Sequence, residues 1–114
     1  MKTLYLDLSM GAAGDMLTAA LLELCPDREG MLQKLNGLGI PGVGFQQEKG
    51  QKLGVSGTHM AVTVHGEEEG EGHRHHHNAM VDIRNIIEGL NASRWVKDKA
   101  LAVYHRIAKA ESQV

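Results

Sequence analysis

The sequence predicts an α+β domain: a two-layer sandwich of order β-α-α-β-β-α-α, with helices packed on a small, mostly antiparallel sheet. Two observations carry that expectation. Apolar residues alternate at the very start of the chain and again between positions 43 and 65, as strands require. Four other stretches repeat their apolar residues at helical spacing, two of them before the long alternating region and two after it.

Residues 2–8 (KTLYLDL) alternate from the outset and are expected to form the first strand. SMGAAGD follows as a small-residue loop, and Asp15 is the expected N-cap of a helix over DMLTAALLELC. Met16, Leu17, Ala20, Leu21 and Leu24 would line its apolar face. Pro26 interrupts, Asp27 offers a second cap, and Met31, Leu32, Leu35 and Leu38 mark the next helix. Gly37 and Gly39 suit a left-handed end to it, and Pro41 cannot prolong it.

Strands are expected over residues 43–51 and 53–65, joined by a turn within residues 50–54. Met60, Val62 and Val64 then share one face, and His59, Ala61, Thr63 and His65 the other. Met80, Ile83, Ile87 and Leu90 define a third helix that Gly89 and Asn91 help to end; Val96, Ala100, Val103, Tyr104 and Ile107 define a fourth.

The 114 residues suit one domain, 1–114, with a hydrophobic content of 42% that is ordinary for a globular chain. Only 4% are aromatic, so Leu, Met, Val and Ile must build the core. A net charge of -2 argues against a general nucleic-acid binder, which needs a basic face. Cys25 is the only cysteine, which excludes an internal disulfide or a cysteine-rich zinc site and fits a reducing, cytoplasmic setting. No apolar run approaches the ~20 residues of a membrane span. Helical periodicity persists to the last residue without a stop signal, so the domain is expected to be the N-terminal part of a longer protein.

Chemistry concentrates in two places. HGEEEGEGHRHHHN, residues 65–78, holds nine acidic or histidine side chains, and residues 66–78 are expected to be a flexible loop. Imidazole is the commonest metal ligand near neutral pH and suits nickel, zinc and copper alike. His65, His73, His75, His76 and His77 are the candidate metal ligands, with the glutamates attracting cations over a longer range. Four such close histidines cannot all converge on one ion, so loose and exchangeable binding is expected. His59 stands six residues before His65, roughly 20 Å along a strand, and cannot share an ion with it. His105 is expected to face solvent, and Cys25 to be a buried structural thiol.

The second place is DLSMGAAGDM, residues 7–16. An acidic residue at a strand end, a small-residue turn and a helix start together offer free N–H groups and a positive dipole end to an anion. Gly11 and Gly14 allow close backbone approach, so Gly11, Gly14 and Asp15 are the candidate cofactor-binding residues; Asp7 and Asp15 are the candidate catalytic carboxylates, able to hold a cation. The pattern is neither a P-loop nor a GxGxxG fingerprint, and a tight strand-to-helix turn with an Asp cap explains it equally well.

YLDLSMGAAGDMLTAALLEL, HRHHHNAMVDIRNIIEGLN and KALAVYHRIAKAESQV, in this order and spacing, resemble the N-terminal part of the LarC family of nickel-insertion proteins. The resemblance spans essentially the whole chain. It implies a CTP-dependent nickel chelatase, a metal-inserting lyase. Such a protein forms nickel–carbon and nickel–sulfur bonds in pyridinium-3,5-bisthiocarboxylic acid mononucleotide, giving the nickel-pincer cofactor of lactate racemase. It also implies a further C-terminal domain, associated with CTP, with Mg2+ or Mn2+ and with homo-oligomer formation. Without that domain the present one is expected to be inactive alone. Many members carry Gly-Ile-Ser-Gly-Asp where this chain has Gly11-Ala12-Ala13-Gly14-Asp15, so the hydroxyl at position 13 is missing. From the residues alone two other readings stand: a non-catalytic nickel or zinc store or chaperone, and a plain interaction domain. Imidazole chemistry does not separate nickel from zinc; the resemblance does.

Overall fold

The longest alternating stretch folds into a hairpin. In the computed structural model, which describes residues 1–68 and 80–114, β1 (Val43–Lys52) and β2 (Val55–Val64) pair antiparallel in unbroken register. Val43 stands opposite Val64 at one end and Lys52 opposite Val55 at the other. Leu53 and Gly54 connect them with φ of 50° and 79°, the pattern of a type I′ turn, whose twist matches that of the strands. Glycine enters this region freely, whereas leucine is strained there. The same two-residue turn recurs at His65 and Gly66 (φ 52° and 87°), leading into β3 (Glu67–Glu68) and giving the sheet order β1-β2-β3.

Two helices grip the hairpin at opposite edges. The His65 N–H donates to the Gly42 carbonyl at 2.7 Å, which fixes the ladder's parity: odd-numbered residues of β1 turn their backbone groups away from β2. Asn36, which ends α2 (Arg28–Asn36), occupies that outer edge. Its carboxamide accepts from the Phe45 N–H at 2.8 Å and donates to the Phe45 carbonyl at 2.9 Å, acting as a one-residue strand neighbour. On the far edge of β2, the carboxylate of Glu23, which ends α1 (Gly14–Glu23), accepts the Thr58 N–H at 3.1 Å. Between these anchors Ala19, Leu22 and Met60 are buried together, with Leu32, Phe45 and Val62 packed against them.

Side chains cap two of the helices, and the Asp27 cap is the one expected from the sequence. Asp27 accepts the Gly30 N–H at 2.9 Å to start α2, and Ser93 accepts the Val96 N–H at 3.2 Å to start α4 (Arg94–Ser112). α4 folds against α3 (Met80–Glu88) around Arg94, whose guanidinium holds both oxygens of Glu88 at 2.8 and 2.9 Å and reaches Asp98 at 3.0 Å. Those hydrogen bonds keep the Glu88 carboxyl below its usual range. The Asn91 N–H donates to the Leu38 carbonyl at 2.8 Å, tying the α3–α4 turn to the end of α2.

The α+β class stands, but the leading strand does not form. Residues 2–8 carry no strand, because a strand exists only through its ladder and no described residue pairs with their backbone. α1 starts at Gly14, one residue before the expected cap; its N-cap is Ala13, which has no side chain able to accept an N–H. Asp15 is instead the second helical residue. The buried face of α1 carries Ala19 and Leu22, while Met16, Leu21 and Leu24 of the expected stripe lie exposed. The helix is apolar on most sides, and the position of the sheet, not the spacing, selects the face. Gly39 takes the left-handed conformation (φ 86°), whereas Gly37 caps α2 at φ -89°. Cys25 is half-buried, its thiol 3.5 Å from the Leu21 carbonyl, not the fully buried group expected.

Two stability measurements check this reading. Asn36→Ala removes both edge bonds to Phe45 and lowers the urea-unfolding free energy by about 1–3 kcal/mol. Ala13→Ser supplies the missing cap of α1 and raises it by about 0.5–2 kcal/mol; an unchanged midpoint would show that water already satisfies the helix start.

Candidate functional site

The turn over residues 7–15 is built by its own backbone. Asp7 Oδ1 accepts the Ser9 N–H at 3.0 Å, and the Gly11 N–H returns to the Leu8 carbonyl at 3.0 Å, closing a four-residue turn. Gly11 ends it at φ 95°, a conformation that a side chain would strain. The Ser9 N–H and then the Ser9 hydroxyl hold the Asp7 carboxyl below its usual range.

The chain then enters α1 with its first N–H groups only partly used. Asp15 Oδ1 accepts the Met16 N–H at 2.8 Å, and the Leu17 N–H reaches the Ala13 carbonyl at 3.0 Å. The Thr18 hydroxyl donates back to the Gly14 carbonyl at 2.7 Å. Among the described residues, the N–H groups of Gly14 and Asp15 meet no acceptor. Nothing lies within 4 Å of where a Cβ on Gly11 or Gly14 would sit, so the turn is open to solvent and to a ligand. Asp7, Gly11, Gly14 and Asp15 thus share one continuous exposed loop and helix start.

His65 is fixed by a different device. It occupies the first position of the β2–β3 turn, and its imidazole lies against Gly42, where any Cβ would collide with Nδ1 and Cε1 of the ring. Gly42 itself holds φ at 71°, so glycine is required there twice over. An exposed imidazole therefore lies beside Gly42, just ahead of the histidine-rich segment in the sequence. His73, His75, His76 and His77 lie outside the described residues. Among the described residues, no three His, Cys, Asp or Glu side chains gather around a common point.

Other histidines separate from this set. His59 sits mid-strand on β2, opposite Glu48. His105 is exposed as expected, and its Nε2 lies 3.4 Å from Arg84 Nη2, a contact that links α4 to α3. Sequence reading also passed over a groove across the turn end of the hairpin, lined by Arg28 and by Gln47, Lys49 and Gln51 of β1 with Ser56 and Thr58 of β2. No local signal marks it, because the hairpin and the start of α2 meet there only on folding. Glu23 reaches Thr58 from the last residue of α1, so the helix start lies about 14 Å from that contact, at 1.5 Å per residue.

A family model described as nickel insertion protein matches residues 4–114. The pyridinium-3,5-bisthiocarboxylic acid mononucleotide nickel insertion protein of Akkermansia muciniphila is 38% identical over 116 residues, covering all of this chain and 29% of the relative. The proteins of the same name from Clostridium kluyveri and Lactiplantibacillus plantarum are 37% and 35% identical, again over the whole chain and 30% of their own length. No solved structure matches. The chain spans less than a third of these relatives, and no helix among the described residues is long and apolar enough to cross a membrane. With the family model covering nearly every residue and identities above 30% across the full chain, this protein belongs to the nickel insertion protein family.

Proposed function

We propose that this chain is the nickel-collecting domain of a protein that inserts Ni(II) into pyridinium-3,5-bisthiocarboxylic acid mononucleotide. The family match over residues 4–114 is the observation that carries this reading. Nickel is the cargo, and the product is the nickel-pincer cofactor of lactate racemase, in which the metal is bound through carbon and sulfur. The reaction is that of a metal-inserting lyase. CTP drives it, with Mg2+ or Mn2+, on the C-terminal domain of the longer protein, which also assembles it into a homo-oligomer.

His65, His73, His75, His76 and His77 collect the ion. Ni(II) favours imidazole nitrogen, and a set of interchangeable histidines releases an ion more readily than a closed cage does. A carrier that passes nickel to sulfur and carbon donors needs that exchange. His65, held against Gly42, gives the collecting segment one fixed member. Asp7, Gly11, Gly14 and Asp15 form the receiving end. The two N–H groups at the start of α1 suit the phosphate of the mononucleotide, and the ionised Asp7 suits the cation. A hydroxyl at position 13 would compete for those N–H groups, and here Ala13 leaves them to a ligand.

Two measurements test the reading. Calorimetric titration with Ni(II) gives at least one equivalent for the 114-residue chain and a loss of most of it on deletion of residues 66–78; unchanged stoichiometry would remove the histidines from the function. Binding of the mononucleotide to Gly14→Pro, which removes one of the two N–H groups at the first helical position, where proline is tolerated, weakens by about 2- to 5-fold with folding verified by circular dichroism, on the scale of one exposed dipole contact. Equal affinity in that variant would place the nucleotide elsewhere. A nickel store would bind several ions and remain indifferent to the mononucleotide in both experiments.

A further inference from the structure

The chain exposes 9517 Å² of surface, whereas a folded monomer of 12.4 kDa exposes about 6100 Å². The residues outside the described set could supply at most about 1800 Å² of the difference, even fully unfolded. At least about 1600 Å² remains, roughly twice the ~800 Å² that one partner contributes to a standard protein–protein interface.

Much of that excess is apolar, and it begins at the start of the chain. Leu4, Leu6 and Leu8 share one side of residues 2–8 and are 57%, 45% and 52% exposed, with Tyr5 85% exposed on the other side. Seven residues with this alternation and no ladder are a strand without a neighbour. The next element continues the theme, since Met16, Leu21 and Leu24 project from α1 away from its buried face. A helix apolar on most sides belongs in an interior.

We propose that residues 2–8 are a strand of a second sheet, paired with an apolar strand from the part of the family's chain outside these 114 residues. The relatives hold more than twice as much chain again as this one covers. The free edge within this domain is a poor alternative, because β1 presents Gln46, Gln47, Glu48, Lys49, Gln51 and Lys52 there, a polar edge of the kind that discourages pairing. A partner in the same polypeptide also has the advantage of high effective concentration over a second copy. The proposal rests on the family assignment and not on the nickel chemistry. Its consequence for the site is direct: Asp7 lies within this strand, so the pairing sets the carboxylate relative to the start of α1.

Hydrogen exchange decides it, run on the 114-residue chain and on the full-length Akkermansia muciniphila relative, with the Gln46 and Ala61 amides (or their equivalents), which pair within the β1–β2 ladder, as the folded standard. The amides of residues 4–8 exchange freely in the short chain at every concentration, and the matching amides slow by about 100-fold or more in the long one. Fast exchange in both overturns the proposal. Protection in the short chain also overturns it: if it rises with concentration the partner is a second copy, and if it does not, the domain's own sheet takes the strand. As a second readout, an aspartate at position 6 (Leu6→Asp) leaves the melting temperature of the short chain unchanged and lowers that of the full-length relative by about 5 °C or more. Equal shifts in the two would equally count against the pairing.

Discussion

The backbone edges of the β1–β2 hairpin are the constraint on which the rest of this structure depends. A two-stranded ribbon is marginal alone, since each strand leaves half of its N–H and C=O groups unpaired. Here the two helices that precede it supply side chains to those edges: Asn36 covers both groups of Phe45, and Glu23 takes the N–H of Thr58. Each contact fixes the end of a helix against one strand, so the two hydrogen-bonded anchors also set which helix faces become interior. Ala19, Leu22 and Leu32 meet Met60, Phe45 and Val62 because the helix ends are held there.

The candidate site inherits its geometry from the same frame. α1 is fixed at its last residue, which leaves its first turn projecting with two N–H groups unused. The two type I′ turns of the hairpin do the equivalent for the histidines. The register that places Gly42 opposite His65 turns a backbone requirement, glycine at positive φ, into a seat for an imidazole. The candidate ligand His65 is thereby positioned by main-chain pairing rather than by a dedicated ligand cage. Such a seat agrees with a cargo that must leave again.

The domain's surface describes its context. An apolar outer face on α1 and the exposed leucines of residues 2–8 before it are costly to hydrate, roughly 25 cal/mol for each Å² left exposed, and they flank the candidate turn in sequence. The relatives carry far more polypeptide than these residues, more than twice as much again. Collecting the ion and receiving the nucleotide would then meet where this domain joins the rest.

By itself the sequence determined the α+β class, the four helices, the hairpin to within two residues at each end, and the cap at Asp27, because these follow from local periodicity and local hydrogen bonds. It also singled out the turn over residues 7–15 and His65, whose residue types are unusual wherever they stand. Only the tertiary structure decided the leading strand, the buried face of α1 and the roles of Asn36, Glu23 and Gly42. Periodicity says that a segment can pair or bury a side; it carries no information on whether a neighbour is present. Residues 2–8 have the pattern of a strand and no partner, and α1 has two apolar faces and one sheet. Contacts between residues nine to thirty-five positions apart settle such questions, and those exist only once the chain has folded.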